Sequence, residues 1–422
     1  MSKILYVSSA DPLRGPGVVS MNHYRMLKDA GFEVDFLTLM KVEGFPEIKY
    51  VYEKNPPKWH NLKYKLYKKL IKCDTSNNHQ FFYLKETNPP VPIRRILKLI
   101  SNDYDVIIIY FWVNMLSYKT ISEIYNHCAK KPKVIFLCAD YSPMTGGCHF
   151  VDNCINYKSG CGNCPMLYSK NPNDFTAKNV QYRKRVIKQI QPYVRMNNYM
   201  SSFFKESDVM RAGANIIISS TIINHNIFIP YDVKEVRKQF EISSDYDFVI
   251  LFGCQSLNNT RKGMVYLIDA LDILYKNLSE KDRNRILLVS IGDDDKSLDQ
   301  MFKFKRKHLG YVNVSDLPKI YSLANVFVSP SINDAGPTMV NQSIACGTPV
   351  VAFEIGSALD VVKDKGTGIT VPLMDSIGIS QAIESIFRMD MKSYNSLRLK
   401  CREVSLQLQS RSTLIDFIKS IL

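Results

Sequence analysis

An α/β fold of the doubly wound type, built as two domains, is what this chain predicts, and three observations carry the prediction. Short apolar runs alternate with helical patterns nearly throughout: Ile4 to Val7, Val34 to Leu39, Val106 to Ile109 and Val134 to Leu137, then Val249 to Phe252, Ile286 to Ile291, Val326 to Val328 and Val350 to Phe353. Such runs, lacking a polar alternate face, suit parallel strands buried on both sides. At 422 residues and 45% hydrophobic content the chain is folded and too long for one ordinary core, so two domains of roughly 200 residues are expected. The polar, turn-rich interval NHNIFIPYDVKEV at 224–236 separates the two series of strands and puts the boundary near residue 226.

The elements follow in order. MSKILYVSS at the start reads as a strand rather than as a charged, apolar and cleavable leader, so secretion is not expected. After the strand Ile4 to Val7 come Arg14, Gly15, Pro16 and Gly17 and then a helix from about Val18 to Ala30. A glycine turn at a helix start can cradle phosphate or merely turn the chain. From Lys58 to Lys72 there are six lysines and no acid. Trp59, Leu62, Leu66 and Leu70 fall there at helical spacing, with Lys63, Lys65, Lys68 and Lys69 around them. That is the pattern of a helix lying on an anionic membrane surface, although a solvated surface helix reads the same way. The longest apolar run, Val106 to Leu116, is interrupted by Asn114 and falls far short of the ~20 residues that span a bilayer.

The formal charge of +15 attracts nucleic acid, anionic lipid or phosphorylated ligands alike. No RNA-recognition motif, zinc-finger spacing or basic zipper favours nucleic acid, and none is expected as a partner. Four cysteines, Cys148, Cys154, Cys161 and Cys164, fall within 17 residues. Two of them have Cys-x2-Cys spacing. They read either as a structural zinc site or as buried thiols.

In the second half, the strand Val249 to Phe252 leads to Gly253, then to Arg261, Lys262 and Gly263 ahead of a helix containing Leu267, Ile268, Ala270 and Leu271. Two cations at a helix start oppose the dipole unless an anion sits there, so this pair is expected to bind phosphate. The stretch DAGPTMVNQSIACGTPVVAF, 334–353, holds a carboxylate, a helix start and a buried strand in sequence. Pro337 suits the first helical position and Gly347 with Pro349 ends the helix, which is expected over 337–346. The amides of Thr338 and Met339 then point outward at the positive end of the dipole. Gly336 lets a ligand come close, Asp334 offers an acceptor, and Gln342 lies about a turn and a half into the helix. A helix simply packed beside a parallel strand is the alternative. The last stretch, about 380–422, reads as helices.

With these residues in view, the chain resembles family-4 retaining glycosyltransferases of the GT-B fold, of the kind that build bacterial surface polysaccharide such as capsule, O-antigen lipopolysaccharide or exopolysaccharide. The resemblance runs over nearly the whole length. It is carried by Gly253, Arg261, Lys262, the run LGYVNVSDLPKIYSLANVFVSPS from Leu309 to Ser331, and ACGTPVV from Ala345 to Val351. In the first half, ADYSPMTGGCHF from Ala139 to Phe150 is similar to the family's His-Asp…Thr-Gly-Gly-Cys-His stretch, keeping Asp140, Thr145, Gly146, Gly147, Cys148 and His149. Two departures stand out. Of the family's Glu-x7-Glu pair only Asp334 is a carboxylate, Gln342 taking the second place, and Ala139 stands where many relatives have His.

The resemblance implies two Rossmann-like doubly wound domains with a cleft between them. An acceptor domain is expected over 1–225 with its cysteine-rich loop at 145–168, a donor domain over 226–395, and a C-terminal helix over 396–422 returning to the first domain. It implies transfer of a sugar from a nucleoside-diphosphate donor to a glycan acceptor, lipid-linked, with retained configuration and no cofactor needed for catalysis. Arg261, Lys262, Asp334 and Asp140 would serve the reaction. Gly15, Gly17, Gly253, Gly336, Pro337, Thr338, Met339 and Gln342 would hold the donor. The enzyme would be cytoplasmic and peripheral on the inner face of the cell membrane. A same-fold epimerase or phosphorylase and a non-catalytic metal-binding scaffold are the alternatives.

Overall fold

The computed structural model of the protein describes residues 2–12, 15–54, 62, 85–256, 259–293 and 300–422, the side chains of 254–256 excepted. It divides into two compact units, one made of Met1–Met196, Met200–Ser219 and Leu414–Leu422, the other of Asn197–Tyr199 and Ser220–Thr413.

In the first unit the strands are β1 (Lys3–Ser8), β2 (Glu33–Met40), β3 (Lys49–Tyr52), β4 (Val106–Tyr110), β5 (Lys133–Leu137), β6 (Tyr193–Met196) and β7 (Asn215–Ile218). They form one seven-stranded sheet in the order β3-β2-β1-β4-β5-β6-β7, every neighbouring pair parallel. All five residues of β4 are buried, as a strand covered on both faces requires. The order reverses between β1 and β4, and open α/β sheets bind ligands beyond the carboxyl ends of the strands at such a point.

The second unit repeats the plan with β8 (Phe248–Ser256), β9 (Ile286–Asp293), β10 (Lys305–His308), β11 (Val326–Ser329), β12 (Val350–Phe353) and β13 (Gly368–Val371). These make a six-stranded sheet, β10-β9-β8-β11-β12-β13, again parallel throughout. Successive residues of β8 feed two different cores. Val249 and Leu251 join Val289, Phe327 and Ile344 on one face, while Phe248, Ile250 and Phe252 join Leu271, Val328 and Ile383 on the other. Each such side chain contributes about 1.5–3 kcal/mol on burial. The switch point here lies between β8 and β11.

All eight expected strands are present. Among the described residues, the five not foreseen are each only four residues long, and four of them, β3, β7, β10 and β13, lie at sheet edges. Their burial patterns are mixed, as in β10, which is KRKH with no fully buried residue. A strand paired on one side needs no continuous apolar run.

The C-terminal region corrects the expected single helix from 396. Two helices occur, Met391–Leu408 and Ser412–Ile421, and the chain through Thr413 groups with the second unit while Leu414–Leu422 groups with the first. Arg402 on the former ties it down by donating to the carbonyls of Phe228 and Ala345 at 2.6 and 2.7 Å. Phe417 on the latter meets the ring of Tyr193 edge-on at 5.4 Å and lies under the Arg195 guanidinium at 4.8 Å. Among the described residues no helix is long and apolar enough to cross a membrane. The lysine stripe residues Trp59, Lys63, Lys65, Lys68 and Lys69 lie outside the described residues, as does Arg14.

Candidate functional site

In the second unit, the chain after β8 enters a single 3-10 turn, Thr260–Lys262, capped by Asn259, whose side chain accepts from the Arg261 amide. Gly263 then starts the helix Met264–Asn277 with φ +67°. A Cβ at Gly263 would stand 1.9 Å from the Pro330 carbonyl oxygen, so the turn lies directly against the loop that leaves β11. Three bonds sew the two together. The Ile332 amide donates to the Arg261 carbonyl at 2.8 Å, the Arg261 Nη1 donates to the Asn333 carbonyl at 3.0 Å, and the Lys262 ammonium meets Asp334 Oδ2 at 2.5 Å. Arg261 is buried.

The loop continues into the helix Thr338–Ala345, one residue shorter at each end than expected. Pro337 is its N-cap rather than its first residue, and the helix has no side-chain cap. The Gly336 amide donates to Asp334 Oδ1 at 3.1 Å, and a Cβ on Gly336 would stand 2.9 Å from Asn197 Nδ2. The structure therefore gathers Arg261, Lys262, Asp334, Gly336, Pro337, Thr338 and Met339 at the carboxyl edge of the β8–β11 switch point. Gln342 is also on that helix, but its amide oxygen accepts from the buried Tyr321 hydroxyl at 2.8 Å. One of its acceptor positions is thus already used. Gly253 sits inside β8 rather than after it, and a Cβ there would stand 2.5 Å from the Ile291 carbonyl oxygen in β9. Strand packing accounts for that glycine.

One expectation needs correcting in its reason. Arg261 and Lys262 do not stand as uncompensated cations, because Asp334 answers Lys262 and the Asn333 carbonyl answers Arg261. Charge repulsion by the dipole does not by itself require an anion. The uncapped start of the helix Thr338–Ala345 still presents amide donors.

In the first unit, Gly15 precedes the helix Pro16–Asp29 as an N-cap with φ +46° and no side-chain cap. Gly17 is buried, and a Cβ there would lie 1.7 Å from the Asp11 carbonyl oxygen, so Gly17 is set by packing against the β1 loop. Beyond β5, Asp140 and His149 form a buried pair, Oδ2 to Nδ1 at 2.5 Å, while Asp140 Oδ1 accepts from the Ser142 amide at 2.7 Å. Burial, the largest influence, pushes the Asp140 carboxyl upward, but His149 and the Ser142 bonds outweigh it and hold it below the ordinary carboxylate value. Both its oxygens are engaged, one by His149 and one by the Ser142 amide, so part of the acceptor capacity of Asp140 is already used. A small pocket beside the pair is lined by Phe111, Trp112, Leu137, Ala139 and Ser142. Phe111, at the end of β4, holds φ +46°, and its ring stacks on His149 at 6.1 Å.

Sequence reasoning missed the residues that fix this loop. Arg183, on the helix Phe175–Ile190, is buried against Glu86 at 2.6 Å, and it donates to the carbonyls of Ser142 and Thr145. Glu86 accepts from the Tyr118 amide, and Asn179 donates to the Gly146 carbonyl at 2.9 Å. Arg183 and Glu86 are 97 residues apart, and no local pattern links them. Of the four cysteines, all are free, and among the described residues no three His, Cys, Asp or Glu side chains stand together as a metal-holding group.

Residues 232–404, a stretch that lies within the second unit, match the family described as "Glycosyl transferases group 1". Phosphatidyl-myo-inositol mannosyltransferase of Mycobacterium leprae is 28% identical over 134 residues, 31% of this chain and 35% of that protein. N-acetyl-alpha-D-glucosaminyl L-malate synthase of Bacillus anthracis is 21% identical over 227 residues, 49% of this chain and 57% of that one. The first-named relative is thus matched over about a third of its length. Among solved structures, sucrose-phosphate synthase from Thermosynechococcus elongatus aligns with a TM-score of 0.68 at 16% identity, over 100% of this chain and 99% of that one. Anabaena HepE in complex with UDP-glucose aligns with 0.65 at 14%, over 100% and 99%. The fold, two Rossmann-like parallel sheets, is that of GT-B glycosyltransferases.

Proposed function

We propose that this protein is a retaining glycosyltransferase that moves a hexosyl or related sugar from a nucleoside-diphosphate sugar to a glycan acceptor, lipid-linked, in the building of a surface polysaccharide. The observation that carries the reading is the meeting of the Arg261-Lys262 turn with the Asp334 loop and an uncapped helix start, within the stretch that matches the glycosyl transferases group 1 family. That relatives of the fold bind UDP and UDP-glucose supports a nucleotide-sugar donor.

In this reading the diphosphate lies against the amides of Thr338 and Met339, with Lys262 and Arg261 beside it. The bond between the anomeric carbon and the diphosphate oxygen breaks, the bond to the acceptor oxygen forms on the same face, and the acceptor's proton passes to the departing phosphate. Preorganised donors aimed at that developing charge are worth roughly 3–4 kcal/mol each. Asp334 orients the donor sugar, and Gln342 offers its remaining amide capacity to the ribose. In this reading the cations and amides carry the diphosphate charge, and catalysis needs no cofactor. The basic stripe at 58–72 supports a peripheral position on an anionic membrane, on the cytoplasmic face.

The test is thermal stabilisation of the purified protein by a panel of nucleoside-diphosphate sugars, since a ligand that binds only the folded state raises its melting point. One donor should give a selective shift that Lys262→Gln, which still folds but with a lower unliganded melting point, abolishes. Product analysis with and without acceptor separates a transferase from an epimerase, which needs none. A full panel without any shift defeats the proposal.

A further inference from the structure

We infer that Gln409, at the end of the helix Met391–Leu408, is a positioning residue for the donor: through Asn341 it holds the first turn of the helix Thr338–Ala345 in place. The inference rests on the reading that a diphosphate lies against that turn. The turn has little to fix it locally. The helix is eight residues long and has no side-chain cap, and a helix so short takes its place from its neighbours rather than from its own propensity. Here the neighbour is the helix Met391–Leu408, which grips it at both ends. Arg402 Nη1 donates to the Ala345 carbonyl at 2.7 Å, and Gln409 Nε2 donates to Asn341 Oδ1. Arg402 and Gln409 are about two turns apart along one face.

The bond from Gln409 belongs to a chain of side chains in which every group has one possible role. The Pro337 carbonyl can only accept, so Asn341 turns Nδ2 toward it at 3.4 Å and Oδ1 away. Gln409 must then meet that oxygen with Nε2, and its own Oε1 accepts from Ser405 Oγ at 2.6 Å. The single hydroxyl hydrogen of Ser405 is thereby used, so His225 Nε2 is the donor to Ser405 Oγ at 2.9 Å. Turning either amide over would set oxygen against oxygen. The Pro337 carbonyl also accepts from the Val340 amide at 3.1 Å and from Ser357 Oγ at 3.3 Å. The carbonyl side of the turn is therefore held from several directions, and its amide side is left to a ligand.

Stability alone does not call for this chain. Asn341, Ser405 and Gln409 are fully buried, in the core that holds Val340, Ile344, Phe228 and Cys401. Apolar side chains of the same shape would pack there at little cost. What a satisfied buried chain adds is a single arrangement of the elements it joins. Gln409 is itself pinned through its backbone, its amide donating to the Ser405 carbonyl at 2.9 Å and its carbonyl accepting from the Ile223 amide at 3.1 Å.

The test uses the full chain and calorimetric titration with UDP, GDP and ADP. The nucleoside diphosphate that the parent binds should be held about tenfold more weakly by Gln409→Met. Ile383→Ala, in the core on the other face of the sheet, is the control for lost stability and should bind it as the parent does. Asn341→Leu with Gln409→Met removes both partners, so stability should return toward that of the parent while affinity stays low. Parent-like affinity in folded Gln409→Met overturns the inference, and so does affinity that returns with stability in the double variant, or an equal loss in Ile383→Ala. Should Gln409→Met not fold, Ser405→Ala, which takes away the donor to Gln409 Oε1, is titrated in its place; a weaker affinity supports the inference and a parent-like one overturns it. A parent that binds none of the three nucleotides defeats the donor reading and the inference with it, an outcome distinct from a parent and variants that bind equally well.

Discussion

Replacing Gly263 by alanine tests whether the Arg261-Lys262 turn truly lies on the loop that follows β11. Gly263 and Gly310 have nearly the same left-handed backbone, φ +67° and +68°, but a Cβ at Gly310 would meet nothing within 4 Å, whereas at Gly263 it would stand 1.9 Å from the Pro330 carbonyl oxygen and 2.9 Å from its carbon. Both substitutions carry the left-handed cost of about 1–2 kcal/mol, reduced by about 0.4–1 kcal/mol through the stiffer unfolded chain. Gly310→Ala should therefore destabilise by about 1 kcal/mol or less. At Gly263 the contact is with backbone, so the loop has to move by more than an ångström. That strains the Ile332, Asn333 and Asp334 attachments at 2.8, 3.0 and 2.5 Å. Losing one of these, with a buried partner left unmet, adds about 1–3 kcal/mol. The assay is hydrogen exchange read peptide by peptide, because two units need not unfold together. A difference of about 2 kcal/mol between the variants corresponds to a roughly 30-fold greater loss of protection over 259–263 and 330–337 in Gly263→Ala. Equal losses in both variants would refute the close approach.

Three further outcomes are expected. His23 is buried, bonded through Nδ1 to the Tyr6 hydroxyl at 2.9 Å, and near Tyr110 and Arg195. Burial first, and the Arg195 charge second, lower its pKa from 6.5 to about 4. The unfolded chain takes up this proton below pH 6.5 and the folded one does not until about 4, so stability is full above pH 6.5 and falls by up to about 3 kcal/mol as the pH drops through that window. In His23→Gln, urea unfolding from pH 7 to pH 4 should show that much less acid loss, and an unchanged slope would count against the buried neutral ring. Glu86→Gln leaves the Arg183 charge buried without its partner, which should cost about 3–5 kcal/mol and loosen the 142–149 loop, read by protease susceptibility there; cleavage at the parent rate would contradict it. Lys63, Lys65, Lys68 and Lys69 changed together to Glu should release the protein from anionic vesicles in a flotation assay, and undiminished binding would remove the membrane reading.

The parallel core of both sheets was legible because central strands are buried on two sides and so must be apolar without interruption, as in VIIIY of β4 and VVAF of β12. The edge strands were not, since KRKH of β10 answers to one neighbour and to solvent. Helix bounds near 337–346 could be read from Pro337 and Gly347, which act through local backbone chemistry. The Glu86–Arg183 pair could not, because the two residues meet only through the fold and each looks, in its own segment, like an ordinary surface charge.

The second-unit site shows how a correct residue choice can rest on an incomplete reason. Arg261 and Lys262 stand out in sequence as two cations where a helix dipole disfavours them, and an outside anion seems needed. The fold supplies Asp334 instead, 72 residues later. Asp334 answers Lys262 and the Asn333 carbonyl answers Arg261, while the helix start Thr338–Ala345 adds uncapped donors beside them. The capacity for an anion therefore rests on the uncapped helix end, at the edge of the β8–β11 switch point, where the sheet order already favours a ligand.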